Sequence, residues 1–345
     1  MIPEPIQVEI SAISDKLKTE AAICYIKERF AKRLAHNLNL IYVSAPIAVL
    51  DGTGINDDLN GIEKPVSFSI KGMNGQKALI VQSLAKWKRL RLKEFSIEAG
   101  KGLLTDMRAI RPDEDLSPIH SMYVDQWDWE KHILSEQRSL KYLKTTVESI
   151  YEALKSTERD VCGMYPELSS ELPDKIHFIH AEELLLLFPD LTIKQRETKI
   201  TARFGAVFII GIGANLSDGK PHDGRAPDYD DWSTLNEEGF YGLNGDIVVW
   251  NPVLQSAFEI SSMGIRVDKE ALEKQLEIRG CSDRKNLMFH NMLLNNQLPL
   301  SIGGGIGQSR VCMYFLKKTH IGEVQSSIWP DTILHKLNEE GIQLL

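Results

Sequence analysis

Arg111-Pro112-Asp113, a short loop to His120, and then the run Val124-Asp125-Gln126-Trp127-Asp128 form the stretch whose reading decides the fold. The spacing predicts a hairpin. An arginine and a histidine stand at its closed end, and an amide and a carboxylate sit two residues apart on the returning strand. Side chains alternate faces along a strand, so Val124, Gln126 and Asp128 are expected to point the same way. Buried without partners, such polar groups would cost roughly 1–3 kcal/mol each. That face is therefore either solvated, as on a wet edge strand, or arranged to hold a ligand.

Outward from this hairpin, apolar spacing supplies the other elements. Residues 15–38 place Ile26, Phe30, Leu34 and Leu38 on an i, i+4 stripe and read as a helix, followed by a strand, Leu40 to Val43, that Pro46 ends. The segment 51–61, rich in Gly, Asp and Asn, reads as a loop. Val66 to Ile70 and Lys77 to Ser83 read as a hairpin around Gly72-Met73-Asn74-Gly75. Lys131 to Glu158 reads as one long helix, with Leu140, Leu143, Val147, Ile150 and Leu154 at helical spacing. Strands are expected at 175–180 and 204–212, separated by a helical segment 181–203, with a loop dense in Gly, Asp and Pro at 213–231. Further strands are expected at 246–250 and 258–262, then a helix at 268–278 and a glycine-rich turn at 303–307 leading into a helix, 308–318. Most strands follow one another through hairpin-length links, which predicts an α+β fold with a central, mainly antiparallel sheet flanked by helices. No linker, repeat or low-complexity tract interrupts it, so residues 1–345 are expected to form a single domain.

Composition excludes several classes of function. A net charge of −8 argues against a general nucleic-acid binder. The one basic run, Lys86-Trp87-Lys88-Arg89-Leu90-Arg91-Leu92-Lys93, is too short to change that and reads as a solvated surface segment. No apolar run approaches the ~20 residues of a membrane helix, and Met1-Ile2-Pro3-Glu4-Pro5 does not begin a signal peptide. Cys24, Cys162, Cys281 and Cys312 are far apart, which points to reduced cytoplasmic thiols rather than a thiolate metal site. His177 and His180 fall in an apolar strand run that sends their rings to opposite faces, against a metal site there.

Three loose motifs, in order, give the chain a resemblance to the class II aminoacyl-tRNA synthetase catalytic core. The first is the helix and strand ending in Val43-x-x-Pro46-Ile47, which in that fold builds a dimer interface. The second is Arg111, Asp113, His120, Val124 and Asp128; the third is Gly303-Gly304-Gly305-Ile306-Gly307-Gln308-Ser309-Arg310. Gln82-Ser83 with Lys88, and Glu259-x-x-Ser262-x-x-x-Arg266, resemble the aspartate-handling branch. Over its length from about residue 20, the chain looks most like the ammonia-dependent asparagine synthetases, or aspartate–ammonia ligases. Ser83 to Arg89, Tyr123 to Glu130, Arg225 to Ser233, Leu243 to Val253, Ser261 to Val267 and Gly303 to Arg310 carry that match.

The resemblance implies a homodimeric ligase that converts aspartate, ATP and ammonia, with Mg²⁺, to asparagine through β-aspartyl-AMP. A dicarboxylic amino acid needs cations for its carboxylates, which Lys88 and Arg266 supply, and an acceptor for its ammonium, which Gln126 and Asp128 provide. Ser83 matches a further position of the aspartate pocket. Arg111, His120, Arg225, Asp230, Asp246 and Arg310 match the ATP site, with His120 in the slot that touches the terminal phosphates. Asp246, Glu259 and Ser262 match the metal position. Asp57 matches the position near the β-carbonyl, where a carboxylate could deprotonate incoming ammonium; Asp58 is adjacent, and a plain turn aspartate is the alternative for either. Val124 stands where an adenine-stacking aromatic is usual, with Tyr123 beside it, and Ser309 replaces a frequent acid.

Two rival readings predict other features. An aspartyl- or asparaginyl-tRNA synthetase would carry an anticodon-binding barrel before the first motif and a phosphate-neutralising excess of charge, and neither is expected here. A catalytically dead relative would have lost charged pocket residues, yet Lys88, Arg111, Gln126, Asp128, Arg266 and Arg310 are all present. Ile2 stands where a glutamine amidase carries its cysteine, so free ammonia is the expected nitrogen donor.

Overall fold

The computed structural model describes residues 15–57 and 63–345. Helix α1 (Asp15–Leu38) buries Ile26, Phe30, Leu34 and Leu38 along the expected stripe and runs into β1 (Leu40–Tyr42). Strands β2 (Ala48–Leu50), β3 (Ser67–Ser69) and β4 (Lys77–Ile80) form a small antiparallel sheet in the order β2-β4-β3, so the expected hairpin is present. Helix α2 (Ala85–Glu94) precedes the long hairpin β5 (Gly102–Ile110) and β6 (Tyr123–His132). Then come α3 (Leu140–Met164), β7 (His177–His180), α4 (Ala181–Leu187), α5 (Ile193–Phe204), β8 (Ala206–Ile210), β9 (Asn244–Asn251) and β10 (Ser256–Ile265). Helices α6 (Lys269–Ile278) and α7 (Met288–Leu294), strand β11 (Ser301–Gly307), and helices α8 (Gln308–Phe315) and α9 (Asp331–Glu339) complete the chain.

The main sheet runs β1-β5-β6-β11-β10-β9-β8-β7. Its inner pairs are antiparallel, as expected, while β1 joins β5 and β7 joins β8 in parallel at the two edges. The parallel β7–β8 pair needs a crossover, which α4 and α5 supply. On one face, α1 and α3 pack over Trp127 and Trp129 of β6 together with Phe208, Ile247 and Phe258, with the Phe30 and Trp127 rings 4.4 Å apart. The other face carries the alternate residues of β6, Gln126, Asp128 and Glu130, so one strand serves a hydrophobic core and a polar site at once.

Four expectations are corrected. The helix read over Lys131 to Glu158 begins only at Leu140, where Ser139 caps it by accepting from Tyr142 N–H at 3.3 Å; Lys131 and His132 continue β6. The helical segment 181–203 is two helices, because Pro189 cannot continue a helix and the chain restarts at the Thr192 cap. The basic run 86–93 is no solvated face: Lys86, Trp87, Lys88, Arg89, Leu90 and Leu92 are all buried in α2. The glycine-rich stretch is no turn but β11, paired with β6 and β10 on either side. Space explains its glycines. A Cβ on Gly303 would land on the Glu130 carboxylate, one on Gly305 would meet Gln126 Oε1 at 2.5 Å, and one on Gly304 would meet Met263 Cβ at 2.5 Å.

Gly304→Ala is therefore expected to lower unfolding stability by about 1–3 kcal/mol through overpacking of the core side of β11. Urea denaturation checks it, and an unchanged midpoint would show that the sheet yields there without strain.

Candidate active site

Above β6 and β11 lies a cavity of about 350 Å³, of a size that small-molecule sites use. Asp57, Ser83, Lys88, Arg111, His120, Gln126, Asp128, Arg225, Asp230, Glu259, Ser262, Arg266 and Arg310 all line it. Asp246 does not; it stands behind Arg225, whose Nη2 donates to its Oδ1 at 2.5 Å. Asp58 lies outside the described residues.

The inner part is a lattice of buried charge. Lys88 reaches down from α2 to Asp128 Oδ1 and to Gly304 O at 3.0 Å, with 1% and 4% of the two charged side chains exposed. Burial pushes the Lys88 ammonium down and the Asp128 carboxyl up, each opposed by the other's charge. Asp128 Oδ2 is buried with no hydrogen-bond partner among the described residues. Arg266 donates from Nε and Nη2 to Glu130, at 3.1 and 2.9 Å, and from Nη1 to Asp230. A guanidinium has five N–H donors, so these bonds fix Arg266 in place and leave capacity for a ligand. The sequence-based expectation had Lys88 and Arg266 waiting for substrate carboxylates; in the structure each already neutralises a protein carboxylate.

Glu130 was not singled out from the sequence. It is fully buried, accepts from Arg266 and from Ser301 Oγ at 2.7 Å, and shares a strand face with Gln126 and Asp128. Extending that alternation by two residues would have found it. Asp125, on the opposite face, accepts from Lys27 Nζ at 2.8 Å and Ser309 Oγ at 2.6 Å, tying α1 and α8 to β6. Ser309 thus has a place of its own in the third motif. Tyr229, which also lines the cavity, was missed because a tyrosine in a loop carries no local signal.

The outer part holds the exposed charges. Arg111, at the end of β5, donates from Nη2 to Gln82 O at 3.2 Å, and Arg310, on α8, donates from Nη1 to Glu259 O at 3.1 Å. Their side chains are 21% and 20% exposed, so both can meet an anion entering from solvent. Ser117 Oγ lies 2.8 Å from His120 Nδ1. Burial, and next the Arg310 guanidinium, holds the His120 imidazole down to about 4, so the ring is neutral at pH 7.

Asp246, Glu259 and Ser262 are hard oxygen donors of the kind Mg²⁺ accepts. Ser262 pairs with Asp246 across β9 and β10, and the bulge between Glu259 and Ser261 turns both Glu259 and Ser262 to the cavity. Burial pushes the Asp246 carboxyl up to about 7 against the pull of Arg225, with Glu259 adding to the rise, and a positive charge beside it favours the ionised form. Arg225 now supplies that charge, donating to Asp246 and, from Nη1 at 2.5 Å, to Ser262 Oγ. Among the described residues no group of three or more His, Cys, Asp or Glu side chains is arranged to hold a metal by itself. The donor set fits a cation held by one or two carboxylates and a substrate's phosphates. His177, stacked on Phe204 at 3.7 Å, and His180, 2.9 Å from Tyr241 O, belong to the packing around β7.

A family profile described as aspartate-ammonia ligase matches residues 17–341. A Parabacteroides distasonis protein named aspartate–ammonia ligase is 54% identical over 334 residues, covering 97% of both chains. One of the same name from Clostridium perfringens is 55% identical over 328 residues, covering 95% of both. Among solved structures, Pyrococcus horikoshii asparaginyl-tRNA synthetase complexed with asparaginyl-adenylate superposes with a TM-score of 0.66 at 15% identity, covering 91% of this chain and 70% of that one. The Entamoeba histolytica asparaginyl-tRNA synthetase complex with asparaginyl-adenylate gives 0.64 at 12% identity, covering 90% and 66%. At these identities the likeness shows a shared fold, that of the class II synthetase core.

The half-buried neutral His120 ring makes stability depend on pH. The ordinary value for histidine is 6.5 and the folded value is about 4, so the unfolded chain binds the extra proton first. Stability is then full above pH 6.5 and is lost as pH falls toward 4. His120→Asn is expected to make the fall in Tm between pH 6.5 and 4 shallower; identical slopes for the two proteins would mean that the ring protonates freely in the fold.

Proposed function

The chain belongs to the aspartate–ammonia ligase family, and we propose that its cavity makes L-asparagine from L-aspartate, ammonia and ATP through β-aspartyl-AMP, the whole chain acting as one catalytic domain. The observation that carries this reading is the pairing of two charge sets in one cavity. A buried set, Lys88, Asp128 and Arg266, with the half-buried Gln126 beside it, suits a zwitterionic dicarboxylic acid, and a partly exposed pair, Arg111 and Arg310, suits a polyphosphate. The partnerless Oδ2 of Asp128 supports its role as acceptor for the substrate ammonium. Lys88 and Arg266, held by Asp128, Glu130 and Asp230, keep donors turned toward the substrate carboxylates.

In the first step a β-carboxylate oxygen of aspartate attacks the α-phosphorus of ATP, the bond to the leaving phosphate breaks, and pyrophosphate departs. Arg111 and Arg310 take up the charge that develops, with neutral His120 as a hydrogen-bonding group beside the terminal phosphates. Glu259, Asp246 and Ser262 would hold Mg²⁺, which when bound would neutralise charge on the phosphates. In the second step ammonium gives a proton to Asp57, and the ammonia nitrogen adds to the β-carbonyl carbon. AMP leaves with the electrons of the broken C–O bond, and the added nitrogen gives its second proton to the departing phosphate. Asp57 is buried and lines the cavity, which supports this role.

Reduced thiols support a cytoplasmic setting, since all four cysteines are free. Among the described residues no helix is long and apolar enough to cross a membrane. A homodimer is supported by β1, an edge strand of the main sheet. Its Ile41 and Tyr42 are each 53% exposed and Ile47, five residues on from Tyr42, is 59% exposed, apolar side chains at a strand whose outer edge pairs with no other strand among the described residues.

Two measurements test this reading. Purified protein given L-aspartate, Mg-ATP and ammonium is expected to form asparagine one-for-one with AMP; asparagine formed with ADP would overturn the adenylate route, and AMP-forming activation without asparagine would make the acceptor something other than ammonia. Ile47→Asp is expected to shift the protein from dimer toward monomer in light scattering at micromolar concentration, and an unmoved mass would place the interface elsewhere.

A further inference from the structure

Outside the cavity wall, one buried carboxylate joins three of the segments that build it. Asp228 is wholly buried, and its Oδ2 accepts from Lys86 Nζ at 2.8 Å and lies 2.9 Å from His290 Nε2, with Arg284 Nη1 at 3.5 Å. Lys86 stands two residues before Lys88 on α2, and Asp228 stands between Arg225 and the pair Tyr229-Asp230. His290, on α7, is wholly buried and does not line the cavity. Its ring supports the segment that carries Asp57. Phe289 N donates to Thr53 O at 3.2 Å, and Gly54, at φ +73°, lies so close that a Cβ there would come within 2.9 Å of His290 Nδ1. On its other side the same segment is held by Asn56, which donates to Ile80 O at 3.2 Å and accepts from Gln82 N at 2.9 Å.

We propose that Asp228 and His290 are positioning residues that press the Asp57 segment against the cavity and thereby set how well the enzyme uses ammonium. The inference rests on the reading of Asp57 as the group that accepts the ammonium proton. The His290 ring touches no reacting atom; it acts through Gly54, while Thr53 is held by the Phe289 main chain. Asn56 keeps its own bonds when the ring is removed, so the segment shifts on the α7 side instead of detaching. A displacement of about 1 Å at a proton-accepting carboxylate is enough for a loss of roughly 10²-fold. Gln126 and Asp128 stand on β6, Arg111 just after β5, Arg266 just after β10 and Arg310 on α8, and Asp228 keeps its bond to Lys86 when the His290 ring is removed, so adenylation is expected to be less sensitive than amide formation.

The experiment separates the two half-reactions in the full-length enzyme. Aspartate-dependent exchange of pyrophosphate into ATP, without ammonium, reads the first; asparagine formation against ammonium concentration reads the second. His290→Ala is expected to keep exchange within about threefold of the parent while kcat/KM for ammonium falls roughly ten- to hundredfold. His290→Gln, which can again donate to Asp228, is expected to recover most of that loss. Equal loss in both half-reactions, or an unchanged ammonium dependence, would overturn the proposal. Gly54→Ala, which forces the segment off an intact His290, is expected to show the same selective defect and serves if the histidine variant does not fold. Asp57→Asn measured alongside distinguishes the two levels of inference. If it impairs ammonium use and neither His290→Ala nor Gly54→Ala does, positioning by Asp228 and His290 fails alone. If Asp57→Asn leaves ammonium use intact, the reading of Asp57 and the positioning built on it fall together.

Discussion

Lys88, Asp128, Arg266 and Glu130 can remain charged beneath the cavity only as a set. Each is almost fully withdrawn from water, and removing one partner from such a pair costs about 3–5 kcal/mol because the remaining charge is left unpaired. Much of the architecture follows from assembling them. Strand β6 must alternate strictly to deliver Asp128 and Glu130 to one face and Trp127 and Trp129 to the other. Helix α2 must run inward to bring Lys88 down, so a sequence rich in Lys and Arg is buried. The loop around Asp230 must close over β10 to complete the clamp on Arg266.

The same requirement separates what could be read in the sequence from what could not. Local periodicity sufficed for α1, the buried stripe of α3 and the alternation of β6, because in each the partner is a generic apolar core or the strand's own opposite face. It failed for α2. The groups that neutralise Lys86 and Lys88 are Asp228 and Asp128, far away in the chain, so eight basic-rich residues look solvated until the fold joins them. It failed again for β11, since glycine argues for a turn unless the neighbouring side chains that need its space are known. Motif spacing located much of the charged part of the cavity wall, but it could not tell that Asp246 would sit behind Arg225, or that Lys88 and Asp128 would hold each other.

Two charge environments meet in the cavity, and their difference in exposure matches the chemistry proposed for them. In the proposed reading Lys88 and Arg266, the groups that would meet a small zwitterion, are already fixed by buried partners, so little reorganisation would remain on binding. Arg111 and Arg310, anchored by main-chain carbonyls and partly exposed, keep freedom to follow a phosphate group as its charge develops. Arg225 stands between these environments, bonded to Asp246 and Ser262, and links the state of the outer carboxylates to the inner lattice through Asp230, 3.6 Å from its Nε.

Because β11 contributes no side chain beneath the cavity from Gly303 to Gly305, the floor there is main chain. A peptide floor has no rotamers to vary and almost no single substitution it can accept. Divergence of substrate preference on this scaffold is thus confined to the walls, to β6, α2 and the strand bearing Arg266, where a new residue can change a charge without lifting the floor. A family descending from such a fold would keep its glycines while it exchanged its chemistry.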